Sequence, residues 1–322
     1  MINSKILERI RADYYRRQVR MDDAKWEENK HPRAKDGKFT SGSGSNTGES
    51  TESSGEKTSK PKDYKALKER GYKLAEKFRK SDAAKIEKKK EFVRQNLGTE
   101  AKPFKREATN LKKVMSEGGV NEEDAKRCAS IAEGIVDKAV KLEPEITKDI
   151  VGAVKELGGT MYGLDFRLKQ STSMGRKIAS DAREDGIDFN TAGSKVRDAI
   201  RYTAVFDNDN FTEGYEKTKA KLESLGYTEV RCRNYYKTYR EDPDYNQKAV
   251  QCVFQNKDGQ MFELQFHTVD SQGTKEVSHP MYEEHRAAST SQRDKHVLNK
   301  RMRNIYETVK DPRGVLHIKS HG

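Results

Sequence analysis

Apolar residues are spaced unevenly along this chain, and their spacing changes character twice. Over residues 1–25, Ile6, Leu7, Ile10, Tyr14 and Tyr15 recur among charges, a pattern that predicts a short amphipathic helix. From Ser41 to Lys60 there is no apolar residue at all, only Gly, Ser, Thr, Asn, Glu and Lys. Such a tract cannot bury surface to offset its conformational entropy, so it predicts a flexible linker. Residues 62–97 are dense in Lys and Glu, with Tyr64, Leu67, Tyr72, Leu74, Phe78, Ile86 and Phe92 thinly spaced, which predicts one or two exposed helices.

Near residue 100 the spacing tightens. Asn121 is a candidate N-cap for a helix striped by Ile131, Ile135, Val136, Ala139 and Leu142. Pro144 is expected to open a second helix carrying Ile146, Ile150, Val154 and Leu157, stopped at Gly158-Gly159. Alternation then predicts a strand with Leu164, Phe166 and Leu168 on one face and Asp165, Arg167 and Lys169 on the other. A helix follows from Ser173 to about Asp185, then a strand over 196–206 and a helix over 211–225. Residues 227–236, 249–255 and 260–268 read as strands, the last pair joined by an Asn-Lys-Asp-Gly turn, and a helix or helix pair covers about 280–309. This order predicts a mixed α/β or α+β domain. The expected organisation is an N-terminal basic segment (1–40), a linker (41–61), a charged helical connector (62–100) and a folded domain (101–322).

Composition narrows the partners. The chain has 322 residues, 33% hydrophobic and 36% charged, with a formal net charge of +12. Its mean hydropathy is −1.06. The charge favours polyanions such as nucleotides or nucleic acid, although basic helices and tails can give the same total without binding anything. The cysteines, Cys128, Cys232 and Cys252, are odd in number, far apart and without a C-x2-C pair. That spacing argues against a disulfide scaffold or a zinc site and for a reducing compartment. The N-terminus lacks an apolar signal region and no stretch reaches membrane-span length, so a soluble, cytoplasmic protein with no membrane partner is expected.

Two stretches carry candidate chemistry. In the first, Arg167, Lys169, Ser173 and Lys177 fall in the spacing R-x-K-x3-S-x3-K. Cations converging on a helix N-terminus can cradle phosphate, and the same pattern also describes a solvated basic strand with an ordinary serine cap. In the second, Phe262, Leu264 and Phe266 alternate with Glu263, Gln265 and His267. A carboxylate there can hold Mg2+ or take a hydroxyl proton, and a neutral Gln can fix a base or ribose. An amphipathic strand with its polar face wet reads equally well. His267 is a candidate base or a structural histidine.

The two stretches together resemble the synthetase domain of the RelA/SpoT family, the (p)ppGpp synthetases and toxic small alarmone synthetases, whose site opens with R-x-K-x3-S-x3-K and closes with E-x-Q-x2-T. Arg167, Lys169, Ser173, Lys177 and then Glu263, Gln265 and Thr268 match both. Between them the family places D-x-x-G-x-R; here the strand carries Asp198 and Arg201 without the Gly and with shorter spacing. The family's G-Y-x-S-x-H is altered, and Tyr245 is the nearest equivalent of its base-stacking Tyr, with Tyr235, Tyr236 and Tyr239 nearby. The match is closer to a divergent branch with G-L-x-[YF]-R-L-K, D-x-[LI]-R-Y-T, F-E-L-Q-F-H-T and H-x-[LM]-Y-E-x-x-R, met by Gly163–Lys169, Asp198–Thr203, Phe262–Thr268 and His279–Arg286. Domains of that branch resemble toxin-like or phage-borne modules, and the segment His31–Phe39 resembles a short motif of phage head-associated proteins.

The resemblance implies an α+β fold, a mixed, largely antiparallel five-stranded sheet flanked by helices, of the RelA/SpoT synthetase-like nucleotidyltransferase type. It also implies transfer of the β,γ-diphosphate of ATP to a ribose 3′-hydroxyl of a nucleotide or tRNA. By the same resemblance Arg167, Lys169, Lys177 and Arg201 hold ATP phosphates, Ser173 orients them, and Asp198 and Glu263 bind Mg2+. Gln265, Tyr245 and His267 then face the acceptor, while His279, Tyr282 and Arg286 pack against the sheet. An antitoxin or a phage structural protein is the implied partner, in a host cytosol or on a virion. Two other readings stay open: an RNA-cleaving nuclease built on His267, His279 and His285, and a non-catalytic phage protein with a degenerate nucleotide site.

Overall fold

The computed structural model describes residues 64–287 and 290–322, with side chains from Lys80 onward. The expected N-terminal helix, basic segment and linker lie outside the described residues. The chain divides into two units at Ser81 and Asp82, the second being Asp82–Gly322. Helix α1 (Tyr64–Gln95) buries Ile86 and Val93 in its latter part, where Asp82 also accepts from Arg301 at 3.2 Å.

Helices α2 (Leu111–Gly118) and α3 (Glu122–Glu156) follow. Asn121 caps α3 by accepting from the amide of Asp124 at 2.9 Å, and Glu122, Glu123 and Asp124 complement its dipole. Pro144 does not open a new helix; it lies inside α3. An interior proline costs about 3 kcal/mol when nothing compensates. Here the carbonyl it frees belongs to Val140, on the solvent side, while Ala132, Val136, Ala139, Ile146 and Ile150 from both halves share one core.

Next come β1 (Thr160–Met161), a 3-10 turn (Leu164–Phe166), α4 (Ser171–Asp185), α5 (Phe189–Ser194), β2 (Arg201–Val205) and α6 (Phe211–Ser224). Strand β3 (Thr228–Asn234) runs directly into α7 (Tyr235–Glu241), a helix absent from the sequence reading because its tyrosines look strand-like. The hairpin β4 (Val250–Gln255) and β5 (Met261–His267) turns at Gly259, φ 77°, where Asn256 Oδ1 accepts from the amides of Asp258 and Gln260. A helix pair closes the unit, α8 (Val269–Arg286) and α9 (Gln292–Tyr306).

The architecture is α+β. One five-stranded sheet has the order β1-β2-β5-β4-β3, with only β2 and β5 parallel. Register sorts its residues into rows. Cys232, Cys252, Leu264 and Tyr202 lie on one face, together with Phe254, Phe262 and Phe266. That face packs against α3 and α6: Tyr202 meets Phe262 edge-on at 6.0 Å, Tyr215 meets Phe266 at 5.2 Å, and Tyr202 Oη lies 2.7 Å from Thr147 Oγ1. The other face carries the rows Arg231–Val253–Glu263–Arg201 and Arg233–Gln251–Gln265–Thr203. Helix α8 lies over this polar face. A Cβ at Gly273 would come within 2.9 Å of the Lys90 amide nitrogen, so the close approach of α1 and α8 requires glycine there.

Candidate active site

The residues expected to alternate along a strand at 164–169 do not. Leu164–Phe166 is a 3-10 turn, Phe166 is 75% exposed, and only Leu164 and Leu168 enter the core. Two hydrogen bonds then lash the segment to the chain entering β2, the Lys169 amide to the Ala199 carbonyl at 3.0 Å and the Arg201 amide to the Arg167 carbonyl at 2.8 Å, which together bridge Leu168 and Ile200. This pairing positions the side chains.

Lys169 Nζ donates to Asp198 Oδ2. Burial pulls the Lys169 ammonium down from its ordinary value, Asp198 opposes that pull and Arg201 reinforces it. Burial works to raise the Asp198 carboxyl, but Lys169, then Lys177 and Arg201, together hold it below the usual carboxylate range. Arg201 is registered beside Glu263 across the parallel β2–β5 pair. Glu263 is 8% exposed, and its Oε1 accepts from Gln265 Nε2. Lys275 of α8 donates in turn to Gln265 Oε1; burial first, then Arg201, lower its ammonium from 10.5 to about 8.

Beside this cluster stands the N-terminus of α4. Gln170 is its N-cap residue and no side chain caps its first turn. Ser173 is half-buried in that turn, and Lys177 follows on the same helix, ion-paired with Asp181 at 2.7 Å. Uncapped first-turn amides beside lysines favour an anion. Asp198 Oδ1 is buried with no hydrogen-bond partner, and Glu263 offers a second carboxylate. Hard oxygen donors with an unpaired lone pair fit Mg2+.

Arg167 is placed differently. It is 7% exposed, with Nε donating to Glu143 Oε1 at 2.5 Å, Nη2 to Glu143 Oε2 at 3.2 Å, and Nη1 to the carbonyls of Lys102 and Leu164 at 3.0 Å each. Those bonds commit the guanidinium to holding α3 against the 3-10 turn, so it is not brought to the Lys169–Asp198 cluster.

At the other end of the polar rows, Tyr245 stacks on Tyr235, centroids 5.0 Å apart and planes at 22°. Burial raises both hydroxyls, and Tyr235 also feels the charges of Arg231 and Glu263. Arg303 of α9 holds this loop by donating to the carbonyls of Asp242 at 2.9 Å, Tyr245 at 2.6 Å and Tyr239 at 3.1 Å. His267 is not at this end. It is 1% exposed, sealed under α8 with Nδ1 2.9 Å from Ser271 Oγ, and burial followed by the Lys275 charge keeps it neutral. Thr268 is spent as the N-cap of α8, in a capping box with Ser271. His279, Tyr282 and Arg286 do not pack against the sheet: the His279 side chain is 59% exposed, Tyr282 is 44% exposed and Arg286 lies over the Tyr282 ring at 5.4 Å. With His267 sealed and His279 in solvent, the histidines expected for RNA cleavage do not form one site.

Glu143, Lys275 and Arg303 were missed from sequence. Lys275 carries a usable signal, because it falls on the stripe of α8 otherwise occupied by buried Ser271, Thr274, Ser278 and Met281. Glu143 and Arg303 carry none.

No family model matches the chain, and no curated protein matches it. Among solved structures it is similar to the Type VI effector Tas1, crystallised in complex with its immunity protein: 16% identity, covering 54% of this chain and 94% of that one, TM-score 0.34. It is also similar to small alarmone synthetase 1 from Bacillus subtilis bound to its product pppGpp: 16% identity, covering 53% of this chain and 87% of that one, TM-score 0.36. Superpositions of this quality carry no argument about chemistry, which rests on the residues.

Proposed function

We propose that the second unit is an ATP-dependent pyrophosphotransferase that moves the β,γ-diphosphate of ATP to a ribose 3′-hydroxyl. The observation that carries this reading is the junction of the Lys169–Asp198 pair with the Arg201–Glu263 register beside an uncapped helix N-terminus. Cations and carboxylates interleaved in a nearly dry cluster suit a highly charged phosphate and its metal, and suit few neutral substrates. Lys169, Lys177, Arg201 and the first amides of α4 hold the donor phosphates, and Ser173 orients them. Asp198 and Glu263 would hold Mg2+, which would supply charge neutralisation on the transferring group. Arg167 acts on this site only by fixing the backbone next to Lys169.

In the step itself the 3′-oxygen attacks the β-phosphorus and the bond from the β-phosphorus to the α–β bridging oxygen breaks, so AMP leaves. The hydroxyl proton passes to Glu263, whose Oε1 accepts from Gln265 Nε2. Tyr245, backed by Tyr235, gives the acceptor base a stacking surface. A toxin-like role for a phage-borne module, neutralised by a protein partner, belongs to the same reading.

The test is label transfer. Full-length protein is incubated with ATP labelled at the γ-phosphate, Mg2+ and, separately, GDP, GTP, ATP or deacylated tRNA. Label should appear on one class of acceptor. Glu263→Gln and Asp198→Asn should each lower the rate by about 10²- to 10³-fold, the usual cost of removing one preorganised electrostatic group. Growth arrest on expression, relieved by Glu263→Gln, tests the toxin-like role. RNA cleavage without ATP would overturn the transferase in favour of a nuclease, and loss of ATP binding by calorimetry would leave a non-catalytic protein.

A further inference from the structure

The cysteines that look unrelated in sequence meet on the core face of the sheet, opposite the proposed active site. Cys232 of β3 and Cys252 of β4 are direct cross-strand partners. The Cys232 amide donates outward to the His321 carbonyl at 3.0 Å, and the Cys232 carbonyl accepts in return from the His321 amide at 2.9 Å. Its backbone groups therefore turn away from Cys252. The cysteines occupy a non-hydrogen-bonded position, the closer of the two antiparallel pairings, with Cα atoms separated by about 4.5 Å. Since directly opposed residues share a face, His321, Cys232 and Cys252 project to the same side.

Glu229 should not be there. It lies an odd number of positions before Cys232, which in a regular strand would send it to the other face. A register shift between Glu229 and Arg231 inserts an extra residue and returns it. As a result, ligand atoms of Glu229, Cys232 and Cys252 all lie within 4.8 Å of one another, and His321 Nε2 is 3.6 Å from Glu229 Oε2. Two thiolates bound to zinc at about 2.3 Å in a tetrahedron are about 3.8 Å apart, so only a small contraction is needed.

We infer that Glu229, Cys232, Cys252 and His321 form a tetrahedral site for a zinc-class divalent metal. The donor set, soft sulfur with imidazole and one carboxylate, selects such an ion over Mg2+ or Ca2+. Charge bookkeeping agrees. Glu229 already accepts from Lys219 Nζ at 2.7 Å and from Tyr215 Oη at 3.2 Å, so the cluster without metal is neutral when the thiols keep their protons. Binding a dication with loss of both thiol protons leaves that total unchanged, and Lys219 and Tyr215 remain as outer partners of the carboxylate. Cys232 and Cys252 are fully buried, whereas the His321 side chain is 42% exposed at a cavity of about 320 Å³ lined also by Lys219, Tyr215 and His317. Entry is from that side. The metal would clamp the segment after the 3-10 turn Val315–His317 onto the outer edge of β3.

The experiment is a Co2+ titration of reduced, chelator-treated full-length protein. A thiolate-to-cobalt charge-transfer band should grow to saturation at one equivalent, with protons released as it forms, and Zn2+ should displace it. Cys252→Ser should abolish the band. His321→Ala, at an exposed position that does not threaten folding, should weaken binding while keeping sulfur ligation. Cys128→Ser, at a buried position on α3, should leave the band intact. Absence of the band in the wild-type protein overturns the inference, as does a band that persists at full strength in Cys252→Ser or is unmoved by His321→Ala. None of these readouts depends on nucleotide transfer.

Discussion

Strand β5 offers two faces for comparison. Phe262, Leu264 and Phe266 are fully buried on one; Glu263, Gln265 and His267 are 8%, 4% and 1% exposed on the other. Burial alone does not tell them apart. The apolar face is held by many weak contacts, such as the stacked Phe254–Phe262 rings at 5.7 Å, and no single one decides its arrangement. The polar face is held by directional bonds passed along a line, Lys275 to Gln265 to Glu263, with Asp198 Oδ1 left without a partner nearby in the charge network. A packed apolar layer degrades gradually when trimmed. A polar layer fails at the group whose partner is removed, and an unsatisfied atom in a charge network, such as Asp198 Oδ1, marks where a ligand would gain most.

The sharpest test of that contrast lies between residues of a single motif. Arg167 and Lys177 share the spacing R-x-K-x3-S-x3-K, yet Arg167 is locked on buried Glu143 while Lys177 pairs with Asp181 at a half-exposed position. Removing one partner of a buried ion pair costs about 3–5 kcal/mol, whereas replacing both with apolar residues is often close to neutral. Arg167→Met should therefore lower stability in urea unfolding by about that amount, and Arg167→Met with Glu143→Leu should recover most of it. Lys177→Ala should stay within about 0.5 kcal/mol of wild type and weaken ATP binding instead. If Arg167→Met keeps its stability and loses ATP affinity, the guanidinium belongs to the substrate after all.

That pair also shows how far the sequence could be read. Period-two alternation found β3, β4 and β5, and the Asn256–Gly259 turn, because both signals are local. The same rule misread Leu164, Phe166 and Leu168: their alternation is real, but Gly163 at φ 66° starts a 3-10 turn that throws Phe166 into solvent. Pro144 was misread because a local breaker was outweighed by core packing on both sides of it. The Lys169, Asp198, Arg201 and Glu263 cluster was legible only as ordered motifs. What was not legible was set by distant pairing: Glu143 for Arg167, Ser271 for His267, Cys252 for Cys232.

A smaller effect separates the aromatic end from the charged one. If Tyr245 is a platform for the acceptor base, Tyr245→Ala should cost about 1–3 kcal/mol in acceptor binding, the usual worth of base–aromatic stacking, with ATP binding unchanged. Tyr245→Phe keeps the ring and should retain most of the acceptor binding, losing the hydroxyl's bonds with Gln247 Nε2 at 2.6 Å and with Tyr235. Equal losses for donor and acceptor in Tyr245→Ala would instead mean that the loop held by Arg303 supports the whole site.

The smallest effect has a sign that identifies it. Lys275 holds Gln265 from α8, and its ammonium is lowered from 10.5 to about 8, by burial first and by Arg201 next. Raising the pH through about 8 removes the charge from this donor. A charge-assisted hydrogen bond is about twice as strong as a neutral one, so the loss is about 1 kcal/mol, or about fivefold in transfer rate. Stability moves the other way. Between about 8 and 10.5 the native lysine has shed a proton that the unfolded chain still binds, so the native state gains stability as pH rises across that window. Lys275→Met should erase both trends, flattening the basic limb of the rate profile and removing the stability gain relative to wild type. A rate and a stability that fall together above pH 8 would assign the limb to general loosening of the sheet rather than to the line from Lys275 to Glu263.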